Sequence, residues 1–454
     1  MKFNGKLHDY QKTCLKWMLD RETSPDAPGG FLSLDMGLGK TIMTIVTICI
    51  NQLDHTLIIV PKNILNQWVS EFEKFTGETP LVVTATMSNK GDVTHDMIRA
   101  HPVVITPIST FGSMRDDENS ALMTFKFDRV VVDEAHLIRN KRSKSYKLVK
   151  KLDSIVKWCL TGTLINKNHS DFTSLLEFMT IYNVNLSYAA RKYLFRITKE
   201  DVESIQIPDL IINDLRSDFE TQEERNIYDD IVENGKVLLK AYNAYGSGEG
   251  RMQILKQLLR LRQAVTNPCL VPDDDEFFDG TSTKLNMLKT DIQSSPVEKT
   301  LVFCHWIKEI DSIRTMLEEI GHESVILTGK IASEGRDEAI RKFTDDPNMN
   351  FFIVQIEAGG IGLNIQAASR IYINSLAWNA SSELQAIARA HRIGQKNNVV
   401  VKRLIINGTI DEDIIALQQK KLSIAAEVLG DTRIEDALKS KNSSAFKALL
   451  SVFK

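Results

Sequence analysis

The chain of 454 residues has few cysteines and no long apolar segment. Its five cysteines are widely spaced and form no C-x-x-C pair, which argues against a zinc cluster and a disulfide framework. Apolar runs such as TLIIV are far too short to cross a bilayer, and the first residues lack the apolar segment of a signal peptide. We therefore expect an intracellular globular protein with no membrane partner and two or three domains.

A strong excess of either charge is also missing. The net charge is −3, so any site for a polyanion must be local. Two basic stretches exist: RNKRSKSYKLVKK at residues 139–151 and RMQILKQLLRLRQ at residues 251–263, and neither contains an acidic residue. Each stretch is either part of such a site or a solvated helix face.

Short β-rich runs alternate with helical stretches in two parts of the chain. The earlier part contains FLSL, TLIIV, LVVTAT, VVIT, RVVVDEA and KWCLTGT, and the later part KTLVFC, SVILTG, FFIVQ, SRIYIN and VVVKRLII. This alternation is typical of parallel sheets with crossover helices. The predicted fold class is α/β, with two such halves.

Changes in composition predict the boundaries between these parts. Residues 1–185 and 285–408 are the two predicted lobes. Residues 186–271 are rich in helix formers and predict a helical insertion, whereas the acidic residues 272–284 predict a hinge linker. Residues 409–454 predict a helical segment that braces one half against the other.

A glycine-rich turn joins a predicted strand to a predicted helix in FLSLDMGLGKT, residues 31–41. Gly37 and Gly39 let the backbone approach phosphate oxygens, Lys40 reaches the outer phosphates, and Thr41 can ligate Mg²⁺. Leu34 occupies the place of the first glycine in the usual phosphate-binding pattern, so this motif alone leaves a plain tight turn equally open. The predicted nucleotide contacts here are Met36, Gly37, Leu38, Gly39, Lys40, Thr41 and Ile42.

Two acidic residues directly follow the apolar strand of KFDRVVVDEAHLI. Asp133 can hold Mg²⁺ through water, and Glu134 can activate the water that attacks the γ-phosphate. His136 either couples the nucleotide state to the other lobe or caps the turn after the strand.

A third element is SSELQAIARAHRIGQ, residues 381–395. Its pattern predicts a helix on which Gln385, Arg389 and Arg392 share one face, at spacings of four and three. Two arginines directed at one place suit the negative charge that develops on a transferring phosphoryl group. A salt-bridged surface face is the alternative.

The order of the motifs resembles a known family. LHDYQ, DMGLGKT, DEAH, LTGTLINKN, AGGIGLNIQAASRIYI, WN and QAIARAHRIGQ resemble the Swi/Snf-type ATPases of helicase superfamily 2, and RAHRIGQ is the most specific of them. The resemblance extends over nearly the whole chain. It implies two RecA-like lobes that bind ATP and Mg²⁺ between them, in a monomeric motor that moves along duplex DNA without fully separating its strands.

The resemblance also implies roles for single residues. The implied roles at the nucleotide are adenine recognition by Gln11, phosphate and metal binding by Lys40 and Thr41, hydrolysis by Asp133 and Glu134, and arginine fingers at Arg389 and Arg392. The implied residues that couple ATP to lobe movement are His136, Thr161, Gly162, Thr163, Gln385 and Gln395. The implied close approaches of backbone to nucleotide and DNA are at Gly359, Gly360 and Gly362.

Contacts to DNA are expected along one edge of both lobes, where backbone amides, hydroxyls and basic side chains bind phosphates. Any one of the candidates could instead be an ordinary loop residue. They are Lys62, Asn63, Thr106, Arg139, Lys141, His305, Trp306, Thr328, Gly329, Lys330, Arg336 and Trp378.

The chain departs from the family pattern at several flanking positions. Ser33, Leu34 and Asp35 replace Ala, Asp and Glu before the glycine-rich turn, Leu164 replaces a proline in LTGTLINKN, and WNA replaces W-N-P. None of these positions is a predicted hydrolytic residue, so we expect an active ATPase.

Few residues flank the motifs, which leaves no room for reader modules and predicts a nearly bare motor. Such a form suits a virus or phage, or a subunit that partners target, and leaves the compartment open between nucleus and cytoplasm. The leading hypothesis is an ATP-dependent duplex-DNA translocase that remodels or displaces DNA-bound proteins. The alternatives are a strand-separating DNA or RNA helicase and a hydrolysis-inactive DNA-binding scaffold.

Overall fold

A computed structural model describes residues 1–115, 118–162, 169–202, 207–245, 248–271, 282–331, 333–356, 365–429 and 453. The chain divides into two compact units: among the described residues, 1–202 and 421–429 belong to the first unit, and 207–420 and 453 belong to the second. No helix within the described residues is long and apolar enough to cross a membrane.

The first unit contains a seven-stranded parallel sheet in the order β3-β4-β2-β5-β6-β1-β7. Its central strands are buried along their whole length, as expected for a parallel sheet covered on both faces. The strands are β1 Gly29–Leu34, β2 Thr56–Val60, β3 Leu81–Val82, β4 Val103–Pro107, β5 Arg129–Val132, β6 Val156–Leu160 and β7 Leu194–Ile197.

Helices connect these strands. The apolar helix α2 begins at Lys40, directly after the glycine-rich turn, and seven of its eleven residues are buried. The helices of the first unit are α1 Asp9–Glu22, α2 Lys40–Ile50, α3 Leu65–Thr76, α4 Ala85–Lys90, α5 His95–Arg99, α6 Ile108–Ser113, α7 Ala121–Thr124, α8 Lys144–Lys151, α9 His169–Phe178 and α10 Leu186–Tyr193.

The second unit contains a six-stranded parallel sheet in the order β10-β11-β9-β12-β13-β8. Alternate residues of β9 belong to two separate apolar clusters. Leu301 and Phe303 lie in one cluster, and Val302 and Cys304 lie in the other. This alternation is the period of two that a strand imposes. The strands are β8 Leu210–Ser217, β9 Thr300–Cys304, β10 Ser324–Leu327, β11 Phe351–Gln355, β12 Arg370–Ile373 and β13 Val399–Ile406.

A helical pair, α11 and α12, packs on this second sheet. Tyr228 and Leu239 of α11 and Ile254 and Leu258 of α12 belong to the same buried cluster as Phe303. The helices of the second unit are α11 Gln222–Tyr245, α12 Gly248–Thr266, α13 Thr283–Ser294, α14 Ile307–Glu319, α15 Ser333–Asp345 and α16 Ala380–Ile387; α17 Ile410–Leu429 begins in this unit.

The structure corrects the predicted boundary at residue 185. Strand β7, Leu194–Ile197, pairs with β1 and completes the first sheet, and β8, Leu210–Ser217, pairs with β13 and completes the second. Residues 186–271 are therefore not a separate helical insertion. The two strands escaped prediction because both lie at sheet edges, where β7 is only partly buried and β8 is mostly exposed, so neither is continuously apolar.

Of the predicted hinge linker only the last three residues are described, and the structure corrects these. Residues 272–281 lie outside the described residues, but Ser282, Thr283 and Lys284 are buried at the start of α13, and the preceding helix α12 belongs to the same second unit. Lys284 forms an ion pair of 2.7 Å with Asp411, both almost fully buried. The division between the units lies near Gln206 instead. Of the predicted brace, α17 is described as far as Leu429.

Candidate nucleotide site and nucleic-acid contacts

The glycine-rich turn has the backbone of an anion site. Gly37 and Gly39 have φ of 91° and 92°, in the left-handed region that favours glycine. The turn ends where the N-terminus of α2 begins, and the free N–H groups and partial positive charge at that end attract phosphate. The ammonium of Lys40 donates to the carbonyl of Leu34 at 2.6 Å. Lys40 and the turn thus present cationic and N–H groups in one place.

Leu34, the unusual residue of this motif, is the last residue of β1 and is fully buried. Asp35 accepts a hydrogen bond from the backbone N–H of Lys199 at 3.1 Å. The departures from the family pattern therefore serve the core and the edge of the first sheet. Ser33 is also buried in β1.

Gln11 lies beside the turn, as the resemblance implies for a residue that recognises adenine. Its Nε2 donates to the carbonyl of Leu38 at 3.2 Å, and its Oε1 accepts from the backbone N–H of His8 at 3.0 Å. The neighbouring Tyr10 hydroxyl also donates to the Leu38 carbonyl, at 3.1 Å. These bonds hold the start of α1 against the turn, although recognition of adenine itself stays a prediction.

Asp133 follows β5 and is buried, with 6% of its surface exposed. Burial raises the pKa of its carboxyl above the ordinary value, and the neighbouring Glu134 carboxylate raises it further. A hydrogen bond from Trp68 and the positive charge of Lys40 lower the pKa. Strands β5, β6 and β1 are neighbours in the parallel sheet, so Asp133 after β5 and the glycine-rich turn after β1 lie at the same edge of this sheet.

Glu134 has φ of 45° and ψ of 51°, a left-handed conformation that costs a non-glycine residue free energy. Its carboxylate lies 3.1 Å from Nδ1 of His136, and both side chains are mostly buried. The 3₁₀ turn Ala135–Ile138 follows at once. His136 thus contacts the predicted base directly; both of its predicted roles, coupling and capping the turn, remain open.

The arginine pair is in the second unit, and the predicted helix is wrong. Helix α16 ends at Ile387, so Gln385 lies on it, whereas Arg389 and Arg392 follow in a series of turns. The carbonyl of Arg389 accepts from the N–H of Ile365 at 3.0 Å. Long-range bonds of this kind override the helical pattern, because the backbone groups find partners outside the helix.

The side chain of Gln395 holds this turn in place through hydrogen bonds. It is buried, its Nε2 donates to the carbonyls of Gln366 and Ala368 at 3.0 and 2.9 Å, and its Oε1 accepts from the N–H groups of Lys396 and Asn397. Its side chain therefore shapes the segment that carries both arginines. A coupling role for Gln395 stays a prediction.

Two further predicted coupling residues lie after β6. Thr161 is fully buried and its N–H donates to the carbonyl of Leu32 at 3.1 Å, whereas Gly162 is exposed. Thr163 and Leu164 lie outside the described residues, as do Gly359, Gly360 and Gly362.

Predicted DNA contacts in the first unit differ in exposure. Lys62 and Asn63 are exposed in the 3₁₀ turn after β2. Thr106 is fully buried and its hydroxyl donates to the carbonyl of Val83 at 2.8 Å. This hydroxyl thus already bridges β4 to the segment after β3, and a DNA contact at Thr106 stays a prediction.

The basic segment after DEAH is partly neutralised. Arg139 lies 3.9 Å from Asp171, and Lys141 pairs with Glu177. Glu177 also pairs with Lys150, at 3.6 Å. Both predicted contacts thus have acidic neighbours on α9, an element of the first unit that lies well after this segment in the sequence.

The predicted contacts of the second unit cluster where its strands end. His305 and Trp306 follow β9, Thr328, Gly329 and Lys330 follow β10, and Trp378 follows β12. Parallel strands bring these ends to one edge of the sheet. Lys330 and Gly329 are exposed, and the others are partly buried. Arg336, on α15, donates to the carbonyl of Ile331 at 2.8 Å.

Three side chains that sequence reasoning missed order these loops. Gln355 accepts from the N–H of Gly329 and donates to the carbonyl of His305, both at 3.1 Å. Glu309 accepts from the N–H groups of His305 and Trp306 at 2.9 and 3.1 Å. Arg262 is the third of them. A strand end and a helix start offered no sequence signal for these pairings.

Arg262 of the basic helix α12 lies between two tryptophans. Its guanidinium carbon is 5.0 Å from the ring centroids of both Trp306 and Trp378, and its Nη2 donates to the carbonyl of Leu376 at 2.6 Å. Cation–π contacts of this kind hold aromatic rings in place. This end of α12 is thus a buried structural clamp, in contrast to a solvated face.

Comparison with known families matches both units. Residues 10–185 match the SNF2-related domain, and residues 283–394 match the helicase conserved C-terminal domain. The chain belongs to the SNF2-related ATPases. These matched ranges carry the glycine-rich turn, Asp133 and Glu134 in the first unit and the arginine turn in the second.

Relatives of this SNF2-related chain include viral and cellular proteins. It is 27% identical to the "probable global transactivator" of Orgyia pseudotsugata multicapsid polyhedrosis virus, over 94% of this chain and 92% of that one. It is 28% identical to the SWI/SNF-related matrix-associated actin-dependent regulator of chromatin subfamily A member 1 of Mus musculus, over 96% of this chain and 45% of that one. The chain thus spans less than half the length of that mouse relative.

A solved structure is also similar: the SWI2/SNF2 ATPase core of Sulfolobus solfataricus in complex with dsDNA. It is 25% identical, covers 99% of this chain and 97% of that one, and has a TM-score of 0.42.

Proposed function

We propose that the chain hydrolyses ATP to move along duplex DNA and so remodels or displaces DNA-bound proteins. The observation that carries the ATPase part is the electrostatic site of the first unit. Lys40 at the head of α2 acts on the buried Asp133, and Glu134 follows it in a conformation that costs free energy. Such an arrangement of a phosphate-binding turn and paired carboxylates is what phosphoryl transfer requires.

Within this proposal each residue has a physical task. The N–H groups of the turn and Lys40 bind the phosphates, and Glu134 orients and deprotonates the attacking water. The Thr41 hydroxyl and the Asp133 carboxylate are hard oxygen donors of the kind Mg²⁺ prefers, and would hold it. A bound Mg²⁺ would neutralise charge on the phosphates. Arg389 and Arg392 would stabilise the charge that develops on the transferred group.

The movement along duplex DNA is supported by family membership and by the ordered loops of the second unit. His305, Trp306 and Trp378 lie where strands end and are braced by Glu309 and Arg262. Lys62, Asn63 and Lys330 are exposed cations and amides suited to phosphate. Proteins on DNA, or subunits that target the motor, would be its partners.

The test compares ATPase rates of the chain and of Lys40→Ala with no nucleic acid, single-stranded DNA, duplex DNA, RNA and nucleosomes. We expect duplex DNA to raise the ATPase rate of the wild-type chain. Lys40→Ala should abolish ATPase activity under every condition. Displacement of a triplex-forming strand from duplex DNA would then report movement.

Each alternative predicts a different result in these assays. A strand-separating helicase would unwind a forked duplex in a strand-displacement assay. If the chain is a hydrolysis-inactive scaffold, the wild type and Lys40→Ala would have equal ATPase rates. Stimulation by RNA alone would contradict duplex DNA as the track.

A further inference from the structure

Trp68, on α3, is a buried side chain that the motifs leave without a role. Its surface is 1% exposed, and its indole Nε1–H donates to Oδ2 of Asp133 at 2.8 Å. The sequence LNQWVSEFEKFT around it shows only the pattern of an amphipathic helix. The helix follows β2, and β2 pairs with β5, the strand that ends just before Asp133. The sheet therefore brings α3 to the carboxylate.

The Asp133 carboxylate is held at both oxygens. Oδ2 accepts from Trp68, Oδ1 accepts from the N–H of Glu134 at 2.8 Å, and the N–H of Asp133 itself donates to the carbonyl of Ile59, also at 2.8 Å. Each carboxylate oxygen accepts about two hydrogen bonds, so each retains acceptor capacity for a further partner. The bond from Trp68 is the one that comes from a side chain of a distant element.

We propose that Trp68 is a positioning residue that fixes the Asp133 carboxylate in the orientation in which it binds Mg²⁺ together with nucleotide. This inference rests on the proposed ATPase function. Residues that hydrogen-bond to metal-binding carboxylates set their orientation, and their loss weakens metal binding more than it changes the fold. The ring is almost fully buried, and close-packed interiors restrict the rotamers of large side chains, which favours a fixed position of the donor.

The chain supplies a matched control in Trp158. This residue, on β6, is also 1% exposed, and its indole Nε1–H donates to Oε1 of the buried Glu22, again at 2.8 Å. Glu22 lies at the end of α1 in the ion pair with Arg129, and these residues are not part of the proposed nucleotide site. Trp68→Phe and Trp158→Phe thus remove the same bond, to a carboxylate, from the same unit.

The experiment measures the affinity of the whole chain for fluorescent ADP, in EDTA and across a Mg²⁺ titration. For Trp68→Phe we expect unchanged affinity in EDTA and a half-saturating Mg²⁺ concentration about 10- to 100-fold higher. Trp158→Phe should keep the wild-type Mg²⁺ dependence. In the ATPase assay, Trp68→Phe should regain kcat at saturating Mg²⁺, which a damaged fold would not do.

An equal half-saturating Mg²⁺ concentration for ADP binding in Trp68→Phe and wild type would overturn the role of Trp68. Equal increases of this concentration in Trp68→Phe and Trp158→Phe would overturn it as well. If the wild type shows no Mg²⁺-dependent ADP binding, the proposed function itself fails.

A measurement on the wild type covers the case in which Trp68→Phe does not fold. With ¹⁵N-labelled indoles, the five tryptophan Nε1–H signals can be followed by NMR as Mg²⁺ is added to the ADP complex. We expect the Trp68 signal to shift and the Trp158 signal to stay. An unmoved Trp68 signal at saturating Mg²⁺ would overturn the proposal.

Discussion

Asp133 shows, at the scale of one residue, how the proposed chemistry opposes stability. Its carboxylate is buried beside Glu134, and both burial and that neighbouring charge disfavour ionisation. Lys40, Trp68 and the N–H of Glu134 compensate in part. A buried carboxylate kept in this way is common at functional sites, where the binding of a cation outweighs the cost of burying charge.

Asp133→Asn should therefore change how stability depends on pH. Because the folded pKa of Asp133 is raised, its contribution to stability is fully present below its unfolded value, near 4, and is lost as pH rises through the folded pKa. The stability of the variant relative to wild type should rise over this window by about 1.4 kcal/mol for each unit of pKa elevation. Urea unfolding between pH 4.5 and 8 measures it, with the exposed Asp20→Asn as control.

A relative stability of Asp133→Asn that falls with pH would contradict the raised pKa. The variant should also lose ATPase activity at every pH.

Gly39→Ala tests the close approach between the turn and α1. A Cβ at Gly39 would lie 2.7 Å from Nε2 of Gln11, at a φ of 92°. We expect a stability loss of about 1 kcal/mol from the backbone and at least about tenfold weaker nucleotide binding from the displaced turn. Gly77→Ala is the control, since Gly77 also has positive φ but open space around its Cβ. Similar ADP affinities in the two variants would contradict a specific role of this contact.

At the scale of elements, the structure gives the basic helix α12 a role that differs from both interpretations of its sequence. Its basic residues suggested either a polyanion site or a solvated face. Arg262 instead packs between Trp306 and Trp378, whereas Arg251 is exposed near the other end. The helix thus joins the segments after β9 and β12, and a charge run in the sequence turns out to contain a buried clamp.

Arg262→Ala should loosen both tryptophans. We expect about tenfold weaker binding of duplex DNA, the size of a desolvated cation–π contact, with a smaller loss in Arg262→Lys. Fluorescence anisotropy of a labelled duplex at fixed salt measures this affinity. Arg251→Ala is the matched control for charge, and an equal loss there would show that net charge alone governs binding.

At the scale of the whole molecule, each unit contains its own core and its own buried ion pair. Arg129 and Glu22 pair at 2.6 Å in the first unit, and Lys284 and Asp411 pair at 2.7 Å in the second. All four side chains are at most 2% exposed. Removing one partner of such a pair leaves a buried charge unpaired, which costs about 3–5 kcal/mol.

Arg129→Met and Lys284→Met should therefore destabilise different sheets. Hydrogen exchange followed by mass spectrometry should show faster exchange in β5 and α1 for Arg129→Met, and in α13 and β13 for Lys284→Met. Equal acceleration in both sheets from either variant would mean that the two cores unfold as one.

Much of the architecture was readable from local pattern. The runs TLIIV, VVIT, KTLVFC and FFIVQ are strands as predicted, because strands buried on both faces must be continuously apolar. The strand predicted for LVVTAT is mostly wrong, because only Leu81–Val82 is strand and α4 begins at Ala85. The order of the motifs and the residue types around Lys40 and Asp133 could likewise be read from short stretches of the sequence.

The sequence by itself determined the family, the two α/β halves and the residue types of the proposed nucleotide site, since these depend on periodicity and short motifs. Only the tertiary structure decided the boundary near Gln206, the end of α16 before Arg389, the burial of Thr106 and the bond from Trp68 to Asp133. These features depend on partners far apart in the chain. Hydrogen bonds and burial across such distances leave no periodic trace in the residues that form them.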